Sequence, residues 1–281
     1  IYPRRPHYCR AVPLSVFSGW RIQLNANLSC RGIGLPGEDL AASGRALLDG
    51  FGREGLADEL QASKEVFVEF SRNTRDAKVA QSVPSVRDAA SALMEDFADE
   101  LGLSRILTYA ESGRTRQNSS AQDIARRVRD THPEADVHEL GVSVGTELFD
   151  LPDLSYLPIY VGEDLGWRIF QLKGEEVVGY RLDEDGRTEE SSRTDPSEVA
   201  MLPMTAAGRD ALTTYLRLVN GRDCFVGHAA HLLDEDGYSY NFAQAYMGAL
   251  ATTAVDLWWR ASFLAHQAGA TDLDGRWVRE G

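Results

Sequence analysis

Cysteine is scarce in this chain: Cys9, Cys30 and Cys224 are the only three in 281 residues. Their number is odd and no two share a short spacing, which excludes a disulfide framework and a thiolate zinc site. Reduced thiols in a cytoplasmic protein are the expectation. Long apolar runs are missing too. The most apolar stretch, Phe242 to Leu264, is broken by Asp256, Arg260 and the pair Thr252-Thr253, whereas a spanning helix needs about 20 predominantly apolar residues. Basic charge is in deficit, 29 residues against 43 acidic ones for a net charge of -14, which argues against bulk nucleic acid and anionic membranes as partners. No signal peptide opens the chain, which begins Ile1-Tyr2-Pro3 without methionine and reads as trimmed or processed. Repeats and low-complexity tracts are absent. Neither a Walker A motif, a GxGxxG loop nor a nucleophile elbow occurs, and nothing in the sequence names a cofactor.

What is present suits a folded protein. With 43% hydrophobic and 26% charged residues, the chain is long enough for one large or two modest cores. The segment from Arg105 to Val144 sets the expected architecture. Arg105 to Ala110 is a β-type run ending in a polar loop. Ser119 or Ser120 then stands at an N-cap position before a helix whose apolar face is Ala121, Ile124, Ala125 and Val128. Thr131-His132-Pro133 stops that helix, and Asp136 to Val144 reads as the next strand. Upstream, Glu65 to Phe70 alternates as a strand, and Ser85 to Leu101 carries helical spacing. The order over 65–144 is therefore β-α-β-α-β, an α/β fold with a Rossmann-like parallel core.

Around that core the composition implies a layout of residues 1–64 as a hairpin and helical arm, 65–150 as the α/β core, and 151–281 as a β-meander with a helical C-terminal part. The arm carries β-type runs at Leu14 to Phe17 and Trp20 to Leu28, a basic cluster of Arg4, Arg5, His7 and Arg10, and helical composition from Glu38 to Ala62. The meander is expected at Leu154 to Val161, Trp167 to Lys173 and Glu176 to Leu182. Asp183 to Glu198 reads as a solvated loop, Ala206 to Leu218 as a helix, and Asn241 to Gln267 as a long buried or interface helix. Cys224 to Leu233 fits either a helix or a strand.

Two of the expected strands end in similar loops, which supply the leading site hypothesis. Ser71, Arg72, Thr74 and Arg75 follow one; Ser112, Arg114, Thr115 and Arg116 follow the other. Hydroxyls and guanidiniums at the carboxyl ends of parallel strands, beside helix N-termini, form an anion site for a phosphate-bearing ligand or nucleotide. Ser112-Gly113-Arg114-Thr115 resembles the hydroxyl-rich phosphate loop of flavodoxin-like proteins over those four residues. Pro152-Asp153 followed by Gln171-Leu172-Lys173 resembles the restriction-endonuclease-like pattern, with glutamine in place of the middle acid. That resemblance implies a metal-dependent nuclease in which Asp153 holds a divalent ion and Lys173 orients water. His228 and His231 share a face only if their segment is helical; as a strand it separates them, and the turn-like Asp234-Glu235-Asp236-Gly237 favours the strand. The remaining reading is a structural or assembly subunit, docking on a second copy or another protein through the aromatic helix at 241–267. Whether the chain is catalytic is left open.

Overall fold

Four acidic or hydroxyl side chains start four of the helices. Asp99 accepts the Gly102 N–H at 2.9 Å, Ser120 that of Asp123 at 3.2 Å, Asp136 that of Glu139 at 2.9 Å, and Asp274 that of Arg276 at 2.8 Å. Each satisfies a donor that the first helical turn leaves without a partner. The computed structural model describes residues 14–18, 22–26, 77–112, 120–161, 166–183, 185–235 and 241–281. In chain order the elements are β1 (Leu14–Ser18), β2 (Ile22–Ala26), α1 (Ala77–Ala92), α2 (Glu100–Glu111), α3 (Ala121–Asp130), α4 (Val137–Glu147), β3 (Tyr160–Val161), β4 (Trp167–Lys173), β5 (Glu176–Leu182), β6 (Thr188–Thr194), α5 (Ala206–Gly221), α6 (Asp223–Glu235), α7 (Phe242–Gln267) and α8 (Gly275–Glu280). Short 3-10 turns lie at Asp96–Ala98, Leu154–Tyr156 and Pro196–Glu198.

The described protein is mostly helical, and the Rossmann-like α/β reading is overturned. Arg105 to Ala110 lies inside α2, and Asp136 to Val144 supplies the cap and most of α4. The expected first strand at Glu65 to Phe70, the helices at Glu38 to Ala62 and the basic cluster from Arg4 to Arg10 fall outside the described residues. The four-stranded sheet runs in the order β3-β4-β5-β6 and is antiparallel throughout. Its two central strands coincide with the expected ones. The sequence places β6 in a loop, yet Thr188–Thr194 pairs with β5 through a register shift at Gly179/Tyr180. β1 and β2 form an antiparallel hairpin.

The chain divides into two compact units. The first takes in the described chain up to Arg87 together with Asn220–Tyr246; the second takes in Asp88–Ser112, Ser120–Val219 and Met247–Gly281. In the second unit the core is aromatic. Phe149, Phe170 and Phe263 meet edge-on or tilted at 5.0–5.8 Å, and Trp259 stacks on Phe263 at 5.5 Å. α4 comes close enough to join them because it presents glycine. A Cβ at Gly145 would stand 2.1 Å from the Trp259 ring, and one at Gly141 would stand 3.2 Å away. In the first unit, Phe225 packs edge-on against Tyr246 at 5.0 Å. No helix among the described residues is long and apolar enough to cross a membrane.

Candidate functional site

The second of the expected anion loops does not follow a strand. Because Arg105 to Ala110 is helical, Ser112 is the C-cap of α2. Its N–H donates to Thr108 O at 2.9 Å and its hydroxyl to Tyr109 O at 2.7 Å. The carbonyl end of a helix carries partial negative charge, which is unfavourable to an anion. The following helix start is already served: the Ser120 hydroxyl donates to the Asp123 carboxylate at 2.9 Å, and that bond, aided by Arg126, holds Asp123 below the usual carboxylate range. Ser71, Arg72, Thr74, Arg75, Arg114, Thr115 and Arg116 lie outside the described residues.

The residues of the nuclease pattern have separate local tasks. Asp153 caps the Leu154–Tyr156 turn by accepting the Ser155 N–H at 2.9 Å, which keeps its carboxyl below the usual range. Gln171 donates through its side chain to Leu151 O at 3.0 Å, while Lys173 Nζ sits 5.1 Å from the centre of the Tyr180 ring. His228 and His231 do share a helical face, one turn apart on α6. Partial burial and then the neighbouring His231 lower the His228 imidazole below its ordinary value, whereas burial raises the Cys224 thiol. Among the described residues, no group of three or more His, Cys, Asp or Glu is placed to hold a metal ion.

Sequence reasoning missed a buried polar network in the first unit. Asp223, at the start of α6, is sealed from solvent and meets Arg87 of α1 at 3.2 Å. Tyr246 of α7 donates to Asn220 Oδ1 at 2.8 Å, and the Asn220 amide donates to Arg87 O at 3.2 Å. Four helices are tied by side chains distant in sequence. Burial raises the Tyr246 phenol to about 12, opposed by the adjacent Arg87. Asn241 and Gln244 exchange hydrogen bonds at the entrance to α7, at 3.0 and 3.4 Å. This is a capping box, and the Asn-x-x-Gln spacing announces it.

Two features of the second unit face solvent. A shallow cleft of about 370 Å³ on α5 is lined by Glu95, Ala206, Arg209, Asp210, Thr213 and Arg217. Arg217 reaches Glu95 at 3.6 Å and Thr213 Oγ1 at 3.3 Å. The other feature is apolar and lies at the β3 end of the sheet. Here the chain turns Leu157 and Tyr160 into the core and leaves the residues just before each of them outside: Tyr156 is 73% exposed and Ile159 47%. Antiparallel register sets Val161 opposite Trp167, which opens β4 and is 49% exposed. Isolated apolar side chains are ordinary on a surface, but neighbouring large ones mark a contact site. The position of β4 was legible in the sequence, whereas the strand expected over Leu154 to Val161 is a 3-10 turn followed by the two-residue β3. The exposure was not legible, since Trp167 shares its strand parity with Ile169, which is buried.

No protein-family model, no curated protein and no solved structure matches this chain.

Proposed function

We propose that the chain works by docking onto another polypeptide through the apolar end of its sheet. The observation that carries this reading is the exposure of Tyr156 in the turn before β3, of Ile159 just ahead of β3 and of Trp167 at the start of β4, from just under half to nearly three quarters. Large aromatic side chains with a rigid backbone beneath them are the common anchors of protein interfaces. α7 is a poorer docking element than its sequence suggests. Its aromatic residues Phe242, Tyr246, Trp258, Trp259 and Phe263 are all buried within the chain. A photo-crosslinking amino acid at position 156 or 167 should give one discrete adduct in cells, identified by mass, and the same group at Leu218, an exposed apolar position on α5, should not. Absence of any adduct specific to 156 and 167 would remove the reading.

The α5 cleft favours a second reading, a small phosphate-bearing ligand held by Arg209 and Arg217, whose guanidiniums suit bidentate oxyanions. Thermal-shift screening with phosphate esters and nucleotides tests it. A stabilisation lost in Arg209→Ala/Arg217→Ala supports the cleft, and one lost instead in Arg114→Ala/Arg116→Ala moves the site to the segment following α2. No shift with any of these compounds ends the reading for them.

A further inference from the structure

The cleft on α5 is balanced in charge. Its lining sets two guanidiniums, Arg209 and Arg217, against two carboxylates, Glu95 and Asp210, around the hydroxyl of Thr213. Thr213 is only 2% exposed and stands at the floor. Its Oγ1 accepts from Arg217 Nη1 at 3.3 Å and donates to Asp210 O at 3.2 Å, so the Arg217 head is drawn back one helical turn, toward Asp210 and Arg209. Glu95 meets the same guanidinium at 3.6 Å, with the Arg217 and Glu95 side chains 51% and 80% exposed. That pair is loose and leaves further N–H donors of Arg217 open to a ligand. Arg209 and Asp210 are exposed, and among the described residues their side chains bond neither to each other nor to a neighbour. A cation and an anion without partners there adjoin on one helix.

This arrangement discriminates among phosphate-bearing ligands. A plain phosphate ester carries nearly two negative charges at neutrality. It gains from the guanidiniums but meets Asp210 and Glu95 as like charges, in a molecule already at -14. An ammonium group on the ligand turns Asp210 from repulsive to attractive. The cleft, at about 370 Å³, is near the small end for ligand sites. No aromatic side chain is among the described residues lining it, so a nucleotide base finds no surface on which to stack.

Resting on the phosphate reading of this cleft, we infer that its ligand is a small phosphate monoester that also carries an ammonium group, an aminoalkyl phosphate. Arg209 and Arg217 hold the phosphoryl oxygens over the Thr213 hydroxyl, and Asp210 takes the ammonium. Asp210 and Thr213 are separated by about 4.5 Å along the helix axis, which a short carbon link spans.

The test is a titration of the full chain with O-phosphoethanolamine, ethyl phosphate and ethanolamine, at a pH that keeps both phosphates doubly ionised. Binding is followed by nuclear magnetic resonance at the methyl group of Ala206, which lines the cleft. O-Phosphoethanolamine should bind about two- to fivefold more tightly than ethyl phosphate at about 0.1 M salt, as one exposed ion pair allows. The two should converge at about 1 M salt, where such a pair is screened, and ethanolamine should bind more weakly than either. Asp210→Asn, an isosteric change at an exposed helical position, should erase the preference and leave ethyl phosphate bound at least as well as before. Equal affinities, the reverse order, or a preference that survives Asp210→Asn would overturn the inference and leave the phosphate reading standing. Ethanolamine bound as tightly as its phosphate would overturn both, since the guanidiniums would then contribute nothing. Absence of any response at Ala206 to either phosphate would end the phosphate reading of the cleft, and the inference with it.

Discussion

The Asp223 carboxylate has no solvent-accessible surface and faces the Arg87 guanidinium, itself 15% exposed in its side chain. A buried ion pair adds little over a well-packed apolar pair, but removing one partner leaves the other charge unneutralised in a medium that solvates it poorly. Asp223→Ala should therefore destabilise the protein by about 3–5 kcal/mol, read as a lower urea midpoint with an unchanged slope. A loss under about 1 kcal/mol would mean that water replaces the carboxylate, as at an exposed pair. Tyr246, in the same network, adds a pH dependence. An unfolded tyrosine ionises near 10, and burial raises this one to about 12. The fold thus favours the protonated phenol, so this contribution is complete below pH 10 and is lost as pH climbs toward 12. Ultraviolet titration at the phenolate band should show late-ionising tyrosines, Tyr160 among them because burial raises its phenol too, and Tyr246→Phe should remove the step about two units late.

Element by element, the sheet was the more readable part and the first helices the less. Trp167 to Lys173 and Glu176 to Leu182 declare themselves through β-rich composition and the turn at Gly174-Glu175, where Gly174 has φ 66°. β6 was invisible because Thr-Glu-Glu-Ser-Ser-Arg-Thr offers no apolar alternation; its pairing rests on the backbone ladder with β5. α2 and α4 were read as strands because Ile106, Thr108, Tyr109, Val142 and Val144 are β-branched or aromatic. The decisive spacing was different. Leu103, Ile106 and Leu107 form one buried helical stripe at i, i+3 and i+4, and Val137, Gly141 and Gly145 form another at intervals of four. A glycine pair at that spacing is the signature of a helix built for close approach. The parallel core fell with those two segments, and with it the strand end assigned to the loop after Arg105 to Ala110. Gly145→Ala places a methyl group inside the Trp259 ring position. It should cost about 1–3 kcal/mol and alter the near-ultraviolet circular dichroism of the tryptophans; a variant with native spectrum and stability would show that α4 can retreat freely. Of the candidate docking site only β4 was legible, since the strand expected over Leu154 to Val161 is reduced to Tyr160–Val161, and the exposure depends on where the paired strands run out.

For the whole molecule, charge is the dominant physical fact. Of the 29 basic residues only Lys64, Lys78 and Lys173 are lysines, and the net charge is -14. Such an excess opposes the compact state through self-repulsion, and salt shortens its reach from about 10 Å at 0.1 M to about 3 Å at 1 M. The melting temperature should accordingly climb with potassium chloride over that range, by at least the 2–4 °C that about 1 kcal/mol represents for a domain of this size. A flat or falling profile would mean that local ion pairs, such as Arg193 with Glu190 at 2.7 Å and Glu176 at 3.3 Å, already balance the field. The aromatic distribution also gives the molecule an optical asymmetry. Trp258, Trp259 and Trp277 are 7%, 0% and 7% exposed, whereas Trp167 is 49% exposed. Among these four, emission at the red edge and collisional quenching by acrylamide belong to the indole on the sheet's apolar end, so its own fluorescence reports when that surface is covered.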